Sequence, residues 1–221
     1  MKKIKAIVFD LDNTLIDFMR MKGKASEAAI KAMVRAGLKV NKKEAWTVLQ
    51  EMFKLHGIED QKIFDKFLKK TNGSVDIRML SAGVVAYRKA KQRTLKPYPN
   101  VRRTLAALSK QYKLAIVTDA PKFQAWTRLY DLRLEKYFDF VIAFEDTGML
   151  KSKKMPFRKA FKILKLKPSE ILMVGDSMKR DVKPAKKLGM RTVLAKYGQF
   201  REERGRADYE INDISEILKI V

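Results

Sequence analysis

The sequence predicts an α/β fold, a doubly wound, Rossmann-like parallel sheet with an α-helical bundle inserted into it. Three observations carry the prediction. Short apolar runs alternate with helix-like stretches, the pattern of βα units laid side by side in a parallel sheet. Three of the runs lead into Asp10, Thr118 and Gly175-Asp176, and such sheets collect ligands beyond the carboxyl ends of their strands. About a hundred residues separate Asp10 from Lys113, where one crossover helix would suffice.

Residues 5–9 form a β-branched and aromatic run that feeds a loop through Asp10, Asn13 and Thr14. Residues 18–95 are rich in Ala, Met, Leu and Lys at helical spacing, as in Ala29-Met33-Val34 and Ile63-Phe64-Phe67-Leu68. We read four helices there, near 20–36, 42–56, 60–71 and 76–94, punctuated by Gly37, Gly57 and Asn72-Gly73. Trp46, Phe53, Phe64, Phe67 and Tyr87 sit at helical spacings and read as the core of a helical cap over the strand ends. Pro97 and Pro99 each disfavour helix in the residue before them and mark the return to the sheet. The expected domains are thus an α/β core of 1–17 and 96–221 and a cap of 18–95. After the return, strands near 114–117, 140–143, 171–174 and 192–195 alternate with helices near 100–110, 121–130, 156–164 and 179–188, the last closed by Gly189.

A hydrophobic fraction of 46% over 221 residues is enough for a substantial core. The apolar runs are too short to span a bilayer, and Met1-Lys2-Lys3 leads into a strand rather than an apolar leader, so the expectation is a cytoplasmic protein with no membrane partner. The absence of cysteine excludes disulfides, thiolate metal sites and a Cys nucleophile, leaving oxygen ligands for any metal. Lys+Arg of 49 against Asp+Glu of 25 gives +24, a field that attracts polyanions or small phosphorylated ligands. The insertion is the more densely positive part, with 18 basic and 7 acidic residues in 78 positions. A nucleic-acid partner is compatible with that charge but not favoured, because the aromatic residues fall in core-like runs rather than on a basic platform.

Asp10 and Asp12 flank one residue at the tip of a strand, and two ionised carboxylates that close together repel. A buried strand end tolerates them when a cation or a shared proton offsets the repulsion, and a divalent metal is the expected compensation. Each acidic residue alone reads equally as a turn or helix-cap residue. That plainer reading explains each but not their joint placement.

With D-L-D-N-T after the first strand, Thr118 after the second, a lysine downstream and Gly175-Asp176-Ser177 through Asp181 after the fourth, the chain resembles haloacid dehalogenase superfamily hydrolases. The resemblance is to the branch with a helical cap between its first and second motifs, and it spans essentially the whole length. It implies Asp10 as a nucleophile forming an aspartyl-phosphate, and Asp12 as the acid and then the base, its carboxyl tuned by burial or neighbouring anions. It implies Mg²⁺ held by the carboxylates of Asp10 and Asp176 and the backbone carbonyl of Asp12. Thr118 would hydrogen-bond a phosphoryl oxygen. Asp119 replaces the Asn frequent in the family, which leaves it a backbone contact more readily than a side-chain one. Lys151, Lys153 and Lys154 are candidates for the lysine that neutralises phosphate and nucleophile, with Lys151 preferred; the family's K-P-x-P is K-S-K-K here. Asp181 would support the metal's water shell or hold Lys151.

A carboxylate at Asp12 favours phosphate chemistry over carbon–halogen cleavage, which needs no protonated leaving group. The resemblance therefore implies a Mg²⁺-dependent phosphatase acting on a small phosphorylated metabolite. A phosphoglucomutase-like phosphotransferase, using the same residues, and a basic nucleic-acid-binding protein are the alternatives. Elsewhere, His56 reads as a helix C-terminal residue before Gly57, and Arg201, Arg204 and Arg206 as an exposed loop. Arg20, Lys22 and Lys24 read as a solvated face, with contact to a polar part of the substrate as the second option.

Overall fold

The computed structural model describes residues 3–221. The chain divides into two compact units, one built from the N-terminal residues to Phe18 together with Lys96–Val221, the other from Met19–Leu95. Among the described residues no helix is long and apolar enough to cross a membrane.

The first unit carries a six-stranded sheet of order β3-β2-β1-β4-β5-β6, with every pairing parallel. Its strands are β1 (Ala6–Phe9), β2 (Lys113–Val117), β3 (Phe140–Ile142), β4 (Ile171–Gly175), β5 (Arg191–Ala195) and β6 (Tyr209–Ile211). Central β1 is covered on both faces, so Ala6, Ile7, Val8 and Phe9 are all fully buried, which is why this strand reads as a continuous apolar run. One face packs Ala6, Val8, Ala115, Val117 and Met173 against Phe157, Ala160 and Leu164. The chain grows outward from β1 to β3, then crosses to β4 on the other side. That reversal leaves a crevice at the carboxyl ends of β1 and β4.

Helices α5 (Val101–Leu108), α6 (Lys122–Asp131) and α7 (Met155–Leu164) fall within two residues of the expected segments, but the stretch expected at 179–188 differs. Met178–Val182 form a wide turn in which Val182 N–H donates to Ser177 O at 3.1 Å, and only Lys183–Lys186 (α8) is α-helical. Pro184 supplies the reason, since it donates no N–H and its ring would collide with the carbonyl four residues back in a regular helix. Strand β6 was not anticipated. Its three residues pair with β5 (Val193↔Tyr209, Ala195↔Ile211), too short a run to stand out against its charged surroundings.

The second unit is helical: α1 (Phe18–Arg35, entered from the first unit), α2 (Lys42–His56), α3 (Ile63–Asn72) and α4 (Ile77–Thr94). Asn41 and Asp76 cap α2 and α4 by accepting from the Glu44 N–H and from the Arg78 and Met79 N–H groups. Met33, Leu49, Phe64, Phe67 and Leu68 are buried at its centre, with Trp46, Phe53 and Tyr87 packed around them. Lys22 departs from the solvated face expected of it. Its side chain is buried, with Nζ 5.0 Å from the Phe53 ring centroid and 5.2 Å from that of Tyr87. His56 is the exposed last residue of α2, before Gly57 at φ 88°.

Candidate active site

The register fixes the site. Phe9 is level with Ile116 on β2 and with Val174 on β4, so the residues just beyond these strands, Asp10, Thr118 and Asp176, meet at one edge of the sheet. Asp10 N–H still donates to Val174 O (2.9 Å), which carries the β1–β4 ladder one residue past the strand. The chain then bends back: Asn13 adopts φ 62°, and its N–H donates to Ile16 O at 2.7 Å.

Lys151 is the hub of the site. Its side chain is 1% exposed, and Nζ lies 2.5 Å from Asp10 Oδ1 and 2.5 Å from Asp181 Oδ1. Burial opposes its charge, but the carboxylates of Asp10, Asp181 and Asp119 outweigh that and hold the ammonium above the usual lysine value. Of the other two lysines, Lys153 is exposed, and Lys154 is spent on the left-handed turn (φ 67°) that starts α7. Asp119 acts through the backbone of this loop, its Oδ1 accepting from Lys151 N–H at 2.7 Å. Thr118 is buried, with Oγ1 accepting from Ala120 N–H at 3.1 Å.

Asp181 reaches the site because residue 175 is glycine. A Cβ there would stand 2.4 Å from the Asp181 carboxyl carbon. The second Asp181 oxygen accepts from Ser177 N–H at 3.0 Å. Asp176 is 4% exposed, and its Oδ1 has no hydrogen-bond partner, the nearest cation being Arg180 Nη2 at 3.7 Å. Burial, with Asp10 and Asp181 adding, pushes the Asp176 carboxyl up to about 9. One oxygen each from Asp10, Asp176 and Asp181 lies within 4.8 Å of the others. Hard carboxylate oxygens, an orphaned acceptor among them and an excess of buried negative charge fit an oxygen-loving divalent cation.

Five contributors carry no signal of this role in the motifs. Arg128 in α6 is 2% exposed and places Nη1 2.6 Å from Asp12 Oδ2, so a buried guanidinium faces the Asp12 carboxyl. Its signal was an arginine on the apolar stripe with Ala125 and Leu129, both fully buried. Arg180 borders Asp176. Glu203 accepts from Ser177 Oγ (3.0 Å) and Lys179 N–H (2.8 Å), tying the loop after β5 to the Asp176 turn. Gly198 lies so close to the Asn13 carbonyl that a Cβ would overlap its oxygen, and Tyr197 Oη donates to Thr14 O at 2.8 Å.

Three buried aspartates thus gather with one lysine at the switch point of a parallel sheet, a donor set that fits a divalent cation. The sequence profile of the haloacid dehalogenase-like hydrolases matches residues 7–195, and the chain belongs to that family. It is 35% identical to a glyceraldehyde 3-phosphate phosphatase of Methanocaldococcus jannaschii, over 99% of this chain and 97% of that protein. It is 34% identical to one of Pyrococcus furiosus, over 100% of this chain and 94% of that protein. Among solved structures, a HAD phosphatase of Thermococcus onnurineus is 30% identical with a TM-score of 0.72, covering 98% of this chain and 97% of that one.

Proposed function

We propose that this chain is a magnesium-dependent phosphatase that hydrolyses a small phosphomonoester through an aspartyl-phosphate on Asp10. The observation that carries the reading is the position of Lys151, which touches Asp10 and Asp181 while Asp176 keeps a buried oxygen open beside them. Asp10, Asp176 and the backbone carbonyl of Asp12 would hold Mg²⁺, with Asp181 holding Lys151. When bound, the ion supplies charge neutralisation between an anionic nucleophile and an anionic phosphate.

A carboxylate oxygen of Asp10 attacks phosphorus, and the bond from phosphorus to the substrate oxygen breaks as Asp12 delivers a proton to that oxygen. Asp12 then takes a proton from water, whose oxygen attacks the same phosphorus and releases inorganic phosphate and the Asp10 carboxylate. Lys151 and the Thr118 hydroxyl stabilise the charge on the phosphoryl oxygens. Residues 18–95 are assigned as the cap domain and carry selectivity for the leaving group, and the protein works in the cytoplasm on a small phosphorylated metabolite.

A triose phosphate heads the list of substrates, because five relatives 28–35% identical to the chain bear the name glyceraldehyde 3-phosphate phosphatase. A phosphomonoester panel with Mg²⁺ tests the reading. Turnover that EDTA stops reversibly is the expected result; turnover indifferent to chelation, or none on any ester, would reject it.

A further inference from the structure

We propose that Arg128 is the positioning residue of the acid–base group, holding the Asp12 carboxylate in the orientation from which it protonates the leaving oxygen. The inference rests on the phosphatase reading above and adds to it a residue outside the four motif segments. Arg128 lies in the last turn of α6, a helix whose neighbouring inward positions, Ala125 and Leu129, are fully buried. A guanidinium at 2% exposure is strongly disfavoured unless it is paired, and here it donates from Nη1 to Asp12 Oδ2 at 2.6 Å. The Phe18 ring, 4.5 Å from the guanidinium carbon, covers one face of it and leaves the fork little freedom to turn. The Asp12 side chain is 18% exposed, so the acid–base group stands at the edge of the buried site with Arg128 behind it.

With Oδ2 engaged by Arg128, the proton that Asp12 delivers is carried on Oδ1, and the pairing selects the rotamer that delivers it. A carboxylate fixed in this way contributes through geometry, since a small displacement of a reacting group costs a large factor in rate. The contribution is selective. An alkoxide leaving group needs the proton, whereas a nitrophenolate departs without it. The ratio of kcat/KM for an alkyl phosphate to kcat/KM for an aryl phosphate thus reads Arg128 separately from general damage to the site. Because kcat/KM runs only through the first irreversible step, it is blind to later hydrolysis of the intermediate.

The test measures kcat/KM for glycerol phosphate and p-nitrophenyl phosphate with Mg²⁺, in wild type, Arg128→Gln, Arg128→Lys, Asp12→Asn and the Arg128→Gln/Asp12→Asn double variant. Arg128→Gln should lose roughly 10²-fold on the alkyl ester and no more than about threefold on the aryl ester. Arg128→Lys, which keeps a charged donor, should recover most of the alkyl rate. In the Asp12→Asn background, Arg128→Gln should cost nothing further on the alkyl ester, as expected of residues acting as one unit. If Arg128→Gln proves unstable, Arg128→Met, which keeps the packed stem and deletes the charge, carries the same comparison in the same cycle. Equal losses on both esters, or additive losses in the double variant, overturn the assignment and leave Arg128 a structural pin. Absence of wild-type turnover on these two esters and on every other ester of the panel rejects the phosphatase reading itself, and this inference with it.

Discussion

Replacing Lys151 with methionine keeps the length and most of the volume of a 1%-exposed side chain while deleting its charge. In the metal-free protein this leaves Asp10 and Asp181 without the ammonium that stands 2.5 Å from each, next to an Asp176 carboxyl already pushed up to about 9 by burial and these neighbours. Removing one partner of a buried pair costs about 3–5 kcal/mol. For a chain of this size each kcal/mol moves Tm by about 2–4 °C, so Lys151→Met should melt roughly 6–20 °C below wild type in EDTA at pH 8. The pH dependence has a definite sign. Carboxyls whose folded pKa is raised are most favourable to folding below their unfolded value, near 4, and lose that contribution as pH climbs. The deficit of the variant should therefore shrink at pH 5 and widen at pH 8, and Mg²⁺ should restore part of it. Thermal unfolding at the two pH values, with and without Mg²⁺, reads all of this. A deficit under about 1 kcal/mol, or one indifferent to pH, would refute the electrostatic account of the site.

Further outcomes follow from the same contacts. Because the Asp176 proton must leave when a cation binds, Mg²⁺ affinity should rise with pH toward about 9, and calorimetry in buffers of different ionisation enthalpy should show net proton release; no release would contradict the ligand assignment. Gly198→Ala places a Cβ 1.6 Å from the Asn13 carbonyl oxygen, which forces backbone apart beside Asp12; we expect a loss of about 1–3 kcal/mol in stability and roughly 10²-fold in kcat/KM, and wild-type values in both would show the approach to be soft. Asp119→Asn preserves an acceptor for Lys151 N–H and should keep most of the activity, whereas Asp119→Ala frees the Lys151 loop and should lose about tenfold or more; equal activity in the two variants would remove Asp119 from the account.

The sheet and the helical insertion were legible because both rest on periodicity: β1 is a continuous apolar run and α3 repeats buried residues at Ile63, Phe64, Phe67 and Leu68. Asp10, Thr118 and Asp176 were legible because each follows a strand directly. What escaped depends on distance in the chain or on packing. Arg128 meets Asp12 across 116 residues, and nothing near either residue announces the other. The wide turn at Met178–Val182 answers to Pro184 and to the need to bring Asp181 onto Lys151. Gly198 looks like any loop glycine until the Asn13 carbonyl is set beside it. Lys22 was misjudged because a lysine near a helix start is ordinarily solvated, whereas this one lies between two aromatic rings.

The central claim is that Asp10 accepts the phosphoryl group, and chemical trapping addresses it most directly. Asp12→Asn, supplied with p-nitrophenyl phosphate and Mg²⁺, should accumulate the acyl phosphate because the base that activates water is gone. Acid quench and borohydride reduction should then convert residue 10 to homoserine, seen as a mass change confined to the peptide that contains it. An unaltered residue 10 in a protein that has released a full equivalent of nitrophenol, or the change at another carboxylate, would contradict the mechanism.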